Sequence, residues 1–149
     1  ADVTSFGGTN NAAFCPEAIV FKNEHLARDI VLRRKQAMQM ASKLRYMSVQ
    51  FTALLTNDLW LRNARHANAM ARRLSEGLAS IPGITVTQKV EANEVFVTVP
   101  ARAIAPLSEA ASLHVWSDAT SELRLVCSFQ TTEEEVDGFV GQARKIVSA

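Results

Sequence analysis

The residues with the most chemical promise lie near the start, in Ser5-Phe6-Gly7-Gly8-Thr9-Asn10-Asn11-Ala12. Paired glycines free the backbone for a tight turn whose amides can face a small anion or a reactive group. The stretch nevertheless holds no strong nucleophile or base. Ser5 and Thr9 are hydroxyls whose order along the chain argues no Ser-His-Asp geometry. Asn10 carries an amide whose nitrogen is delocalised into its carbonyl, so it orients a ligand but does not attack one. The other reactive types are scattered. His25, His66 and His114 show no metal-ligand spacing, and Cys15 and Cys127 form no Cys-x-x-Cys, so neither a metal site nor a disulfide framework is expected. Cys127 reads as an inert core thiol, and Met38, Met40, Met47 and Met70 as helix packing. Arginine remains, with a planar fork that matches carboxylate and phosphate.

The basic residues are unevenly spread. Residues 1–73 hold 11 Lys and Arg against 5 Asp and Glu, and residues 74–149 hold 5 against 10. Three readings are open for the basic excess: a nucleic-acid surface, solvated helix faces, or a phosphate or carboxylate site. Few aromatics interleave the charges and no groove-reading motif is present, which argues against nucleic acid. The chain has 149 residues, enough for one domain with a core, and its 48% hydrophobic and 21% charged content is that of a globular protein. No apolar run is long enough for a membrane span, and residues 1–4 lack the basic start and apolar block of a secretion signal. Cysteine usage points to a reducing, cytoplasmic setting.

The elements that must position these groups follow from periodicity. Residues 3–6 and 18–21 read as short buried-type strands flanking the Gly-Gly turn. From about His25 the period changes, and Ala37, Met40, Ala41, Leu44, Met47, Phe51, Leu54 and Leu55 predict one long helix running to about Thr56. Asn57 or Asp58 is placed to cap a second helix that ends before Pro82-Gly83, with Leu61, Ala64, Ala67, Ala71, Leu74 and Leu78 on its stripe. The small alanines predict an antiparallel pair with the long helix. Residues 84–90, 94–99, 113–116 and 122–129 read as strands, and residues 106–112 as a short helix. Thr131 or Thr132 followed by Glu133-Glu134-Glu135 signals a capping box for a last helix with Val136, Phe139, Val140, Ala143 and Val147 inside. The class expected is α/β, with an α+β C-terminal domain: a small, mostly antiparallel sheet covered by helices. Two short strands make no independent sheet, so the front reads as if it began in mid-domain.

The strings SFGGTNN, EAIVF, RRKQAMQMASKLR, DLWLRNARHANAMARRL, VEANEVFV and RLVCSFQTT, in this order, resemble one family along essentially all of the chain. They are similar to the C-terminal portion of the low-specificity threonine aldolases, among the β-eliminating lyases that use pyridoxal phosphate. The resemblance implies a fold type I enzyme that cleaves β-hydroxy-α-amino acids to glycine and an aldehyde, as a dimer or tetramer. It also implies that residues 1–57 are the end of a cofactor-gripping larger domain and the start of connecting helices, and residues 58–149 the smaller C-terminal domain.

Residue by residue, the resemblance places Asn10 where the family has the lysine that forms a Schiff base with pyridoxal phosphate. Asn11 keeps the family's Asn and Ala12 replaces its Gly. An amide does not make that link, so the chain is expected to hold no covalent cofactor and to be inactive alone. Arg124 matches the arginine that holds the substrate carboxylate, and Lys35 and Arg45 match a basic pair near the cofactor pocket. The alternative expectation is a non-catalytic oligomerisation or binding module derived from the same family, a homo-oligomer without nucleic-acid or membrane partners.

Overall fold

The computed structural model describes all of residues 1–149, which divide into two compact units, 1–62 and 63–149. In the first, β1 (Val3–Gly7) and β2 (Glu17–Phe21) form an antiparallel hairpin in which Val3 pairs with Phe21 and Gly7 with Glu17. The strands are as expected, but their burial is not. Val3, Ile19 and Val20 are exposed, because a two-stranded ribbon has no second layer within its unit to cover both faces.

The single long helix expected from residue 25 to residue 56 is divided into a 3-10 turn, α1 (Ile30–Gln36) and α2 (Arg45–Leu55). The break has a local cause. Met38 lies at φ 55°, its amide donates to Lys35 O at 3.1 Å and that of Gln39 to Arg34 O at 3.0 Å. This is the Schellman pattern of a helix end, here with methionine where glycine is usual. The Arg34 Nε–H reinforces it by donating to Gln39 O at 2.9 Å. Asn57 and Asp58, both at positive φ, then separate α2 from α3 (Leu59–Ala79), a conformation their short polar side chains tolerate.

The second unit follows its pattern closely. Strands β3 (Thr85–Val86), β4 (Glu94–Thr98), β5 (His114–Ser117) and β6 (Glu122–Val126) form an antiparallel sheet in the order β3-β4-β6-β5. With α4 (Ile104–Ala110) and α5 (Glu133–Ser148) it makes the small antiparallel, helix-covered sheet expected. The run 84–90 yields only a two-residue ladder, extended by Thr87 N–H donating to Phe96 O at 3.0 Å. Alternate residues of the central strands, Val95, Val97, Leu123 and Leu125, turn into the core. There they meet Met70, Ala71, Leu74 and Leu78 of α3 and Val136, Ala143 and Val147 of α5.

Ala71, Leu74 and Leu78 of the α3 stripe thus find partners in the sheet and α5. Gly77 marks the tightest approach: a Cβ there would lie 2.7 Å from Val140 Cγ2. Thr132 caps α5 through the expected box, accepting from Glu135 N–H at 3.2 Å while Glu135 Oε2 accepts from Thr132 N–H at 2.8 Å. Arg73 ties α3 to α5 at the surface, forking onto Asp137 at 2.8 and 2.7 Å and reaching Glu133 at 2.9 Å.

Candidate functional site

The Gly-Gly loop is held by a small set of directed bonds. Gly8 N–H donates to Pro16 O at 3.1 Å, and Gly8 O accepts from the amides of Asn11 and Ala13, each at 3.0 Å. Asn11 Nδ2–H donates to Trp60 O at 2.9 Å, and Thr9 Oγ1–H to Glu17 Oε1 at 3.1 Å. Beneath the loop, Phe6 packs on Phe51 and Trp60 with ring centroids 5.7 and 6.3 Å apart. Gly8 has no space for a side chain, since a Cβ would stand 2.5 Å from Pro16 O. The loop thus has a built backbone. Its central side chain, Asn10, sits exposed in the 3-10 turn Thr9–Asn11. Ala12 ends that turn at φ 75°, the left-handed region that glycine enters at no steric cost.

The second unit gathers its polar and aromatic groups on the sheet face opposite the core. Arg124 lies on β6 with Phe96 of β4 opposite it on one side and His114 of β5 on the other. Its Nη2–H donates to Glu94 Oε1 at 2.5 Å and its Nε–H to Glu94 Oε2 at 3.2 Å. The pair is two-pronged, and the side chains of Arg124 and Glu94 remain 33% and 35% exposed. That bond holds the Glu94 carboxyl below its usual range, against the smaller opposing effect of burial, and raises Arg124 further above its own.

Trp116 completes the face. Between Val115 and Ser117 the β5–β6 register slips, leaving Trp116 as the extra residue of a bulge. Its ring lies 5.9 Å from Arg124 Cζ and packs edge-on to Phe96 at 5.3 Å. It is 52% exposed. At the strand ends, Asn93 Nδ2–H donates to Cys127 O at 2.7 Å and Cys127 N–H to Asn93 O at 2.9 Å, which fixes the backbone beside Glu94. The result is a guanidinium beside one aromatic ring, its fork bound by one carboxylate.

The remaining sequence candidates are dispersed. Lys35 lies in the last turn of α1 and Arg45 begins α2; both are exposed, and the break at residues 37–44 places them on different helices. His25 follows Asn23, whose Oδ1 accepts its backbone N–H at 3.0 Å. His66 Nε2 lies 2.7 Å from Thr131 O, a distance for a donated bond. Cys15 is exposed, whereas Cys127 is buried, which pushes its thiol up to about 11. Glu94 and Trp116 were not among the sequence candidates. The signal for Glu94 was present: on paired strands its period-two position shares a face with Arg124. The same alternation puts Trp116 on the face of His114, the strand partner of Arg124.

Comparison with known proteins finds relatives that match nearly all of the chain. The chain is 39% identical over 148 residues to a low-specificity L-threonine aldolase of a Pseudomonas strain, covering 99% of this chain and 43% of that protein. The Pseudomonas aeruginosa protein of the same name is 40% identical over 152 residues, with the same coverage. Along nearly its whole length the chain resembles the C-terminal portion of these threonine aldolases. The chain spans less than half the length of these curated relatives. Among solved structures, a threonine aldolase of Leishmania major superposes on 98% of the chain with a TM-score of 0.87 at 27% identity, again over 43% of its own length. An aminotransferase from Streptoalloteichus hindustanus, 16% identical with a TM-score of 0.56 over 87% of the chain, shares the fold. No protein-family model matches the chain, and no helix is long and apolar enough to cross a membrane.

Proposed function

We propose that the chain is the C-terminal portion of a pyridoxal-phosphate-dependent, cytoplasmic threonine aldolase of fold type I in which the carboxylate site persists and the covalent cofactor site does not. In this reading residues 1–57 descend from the larger cofactor-gripping domain, residues 58–149 form the smaller one, and Arg124 is the group that orients an amino-acid carboxylate. A strand-borne guanidinium beside Trp116, which itself packs on Phe96, is stiff enough for that task. The observation that carries the reading is the side chain at position 10. The donor set of the loop does not fit a covalent cofactor: the turn is fully formed, but its exposed central group is a carboxamide with no amine to condense with an aldehyde. Lys35 and Arg45 are assigned to cofactor phosphate only as positions matching the family.

The test is direct. The chain is mixed with pyridoxal phosphate and threonine, then with borohydride, and assayed for glycine and for a pyridoxyl adduct by mass spectrometry. No glycine, and no adduct at residue 10, is expected. In a mixture with the N-terminal half of a Pseudomonas relative, Asn10→Lys is expected to restore both, and the unaltered chain neither. Glycine release by the unaltered chain overturns the reading.

A second reading, an assembly module, is favoured by one observation. Exposed large apolar side chains concentrate in the first unit, including Phe14 at 85% and Met38 at 89% exposure, with Ile19, Val31, Leu32 and Val49. Apolar surface of this density marks contact with other protein. Light scattering at micromolar concentration is expected to return a homodimer or larger; a monomer of 16.3 kDa would contradict it.

A further inference from the structure

The Arg124 fork is already filled, and the filler is a carboxylate. Glu94 meets the guanidinium through two atoms, at 2.5 and 3.2 Å, in the arrangement that a small free carboxylate would adopt. Both side chains are about one-third exposed, so the pair is reachable from solvent rather than sealed in the core. The face around it is open too, with Trp116 exposed beside the guanidinium and His114 exposed on the edge strand. Nothing about the core requires the pair. Val95, Val97, Leu123 and Leu125 supply the buried contacts of β4 and β6 from the other face.

We infer that Glu94 is a built-in latch on the carboxylate site: it occupies the Arg124 fork in the resting chain, and a small carboxylate binds by displacing it. This rests on the reading of Arg124 as a carboxylate holder and adds a control to it. A guest must supply two hydrogen bonds to replace those of Glu94, and the displaced carboxylate must rehydrate. The guest pays that difference as lost affinity. Trp116 lies beside the guanidinium, its ring 5.9 Å from Arg124 Cζ, so its environment changes with whatever carboxylate holds the fork. The latch is short-range: Asn93 and Cys127 hold the backbone at residue 94, so release needs only a rotation of the Glu94 side chain.

Acetate is the probe. Its binding is followed by Trp116 fluorescence in a Trp60→Phe background and by the Nε–H resonance of Arg124. Glu94→Gln keeps the shape and removes the charge, and is expected to bind acetate about tenfold tighter than the unaltered chain. Glu94→Ala serves as a second variant should the amide of Gln retain the fork, and adding Arg124→Gln to either should abolish the gain. Equal affinity in the Glu94 variants and the unaltered chain overturns the latch while leaving Arg124 as a carboxylate holder. Failure of both Glu94 variants to bind acetate through Arg124 overturns the carboxylate reading, and the latch with it.

Discussion

Position 12 is where the loop departs from comfort. Ala12 holds φ 75°, and the amide of Ala13 beside it donates to Gly8 O at 3.0 Å. An alanine in the left-handed region costs roughly 1–2 kcal/mol, of which a glycine recovers part after its own greater chain entropy is subtracted. Ala12→Gly is thus expected to stabilise the loop by about 0.5–1 kcal/mol. The readout is slower hydrogen exchange at the amides of Asn11 and Ala13, and unchanged or faster exchange would show that the conformation is not strained. The loop also shows how far a sequence can be read at the level of single groups. That Asn10 lacks an amine follows from its letter alone, and the exposure of its side chain adds nothing to that conclusion. Arg124 was legible as a fork for an anion, but not as a fork already engaged. Its partner is 30 residues away in sequence, and the contact depends on the β4–β6 register.

Among elements, the contrast between the two units explains which predictions survived. The capping box at Thr132, the α3 stripe and the alternation on β4 and β6 each have a partner layer within one unit, so pattern and burial agree. The long helix expected before residue 57 has a regular stripe, yet half of that stripe is exposed and only Leu54 of α2 is buried. Propensity without burial does not hold a helix through a Schellman turn at Met38. The α3–α5 contact offers the sharpest test of packing. Gly77 costs α3 about 1 kcal/mol of helix propensity relative to alanine. Gly77→Ala nevertheless is expected to destabilise the chain by about 1–3 kcal/mol, because the new methyl would lie 2.7 Å from Val140 Cγ2. Trimming the neighbour in Gly77→Ala with Val140→Ala should restore part of the loss. A urea-unfolding cycle of the four proteins measures the coupling, and strict additivity would show that the helices do not meet there.

For the whole molecule, the core is unevenly divided between the two units. Of the buried apolar residues only Ala13 and Leu54 fall within residues 1–62; the other buried members of the core, from Ala67 to Val147, belong to residues 63–149. Apolar burial near 25 cal/mol per Å² is the main term opposing chain entropy, so the two units cannot be equally stable. The first is expected to open at low free energy, its hairpin exposed on β2 and its short helices ending in water. The second should unfold as one cooperative block, since α3, α5 and the four strands share one cluster. Hydrogen exchange read by mass spectrometry gives the decisive measurement. Peptides from residues 1–55 should exchange within seconds to minutes, while those from residues 67–79, 94–99, 122–127 and 136–147 should retain deuterium-free amides for far longer. The segment 63–149 made alone should keep that protection, because none of its core residues lies outside it. Uniform protection along the whole chain at high dilution would mean that residues 1–62 have a stabilising layer of their own, which the burial of Ala13 and Leu54 alone does not provide. Protection of residues 1–55 that appears only as concentration rises would instead assign that layer to a second copy, joining the exposed apolar side chains Phe14, Ile19, Val31 and Met38 to assembly.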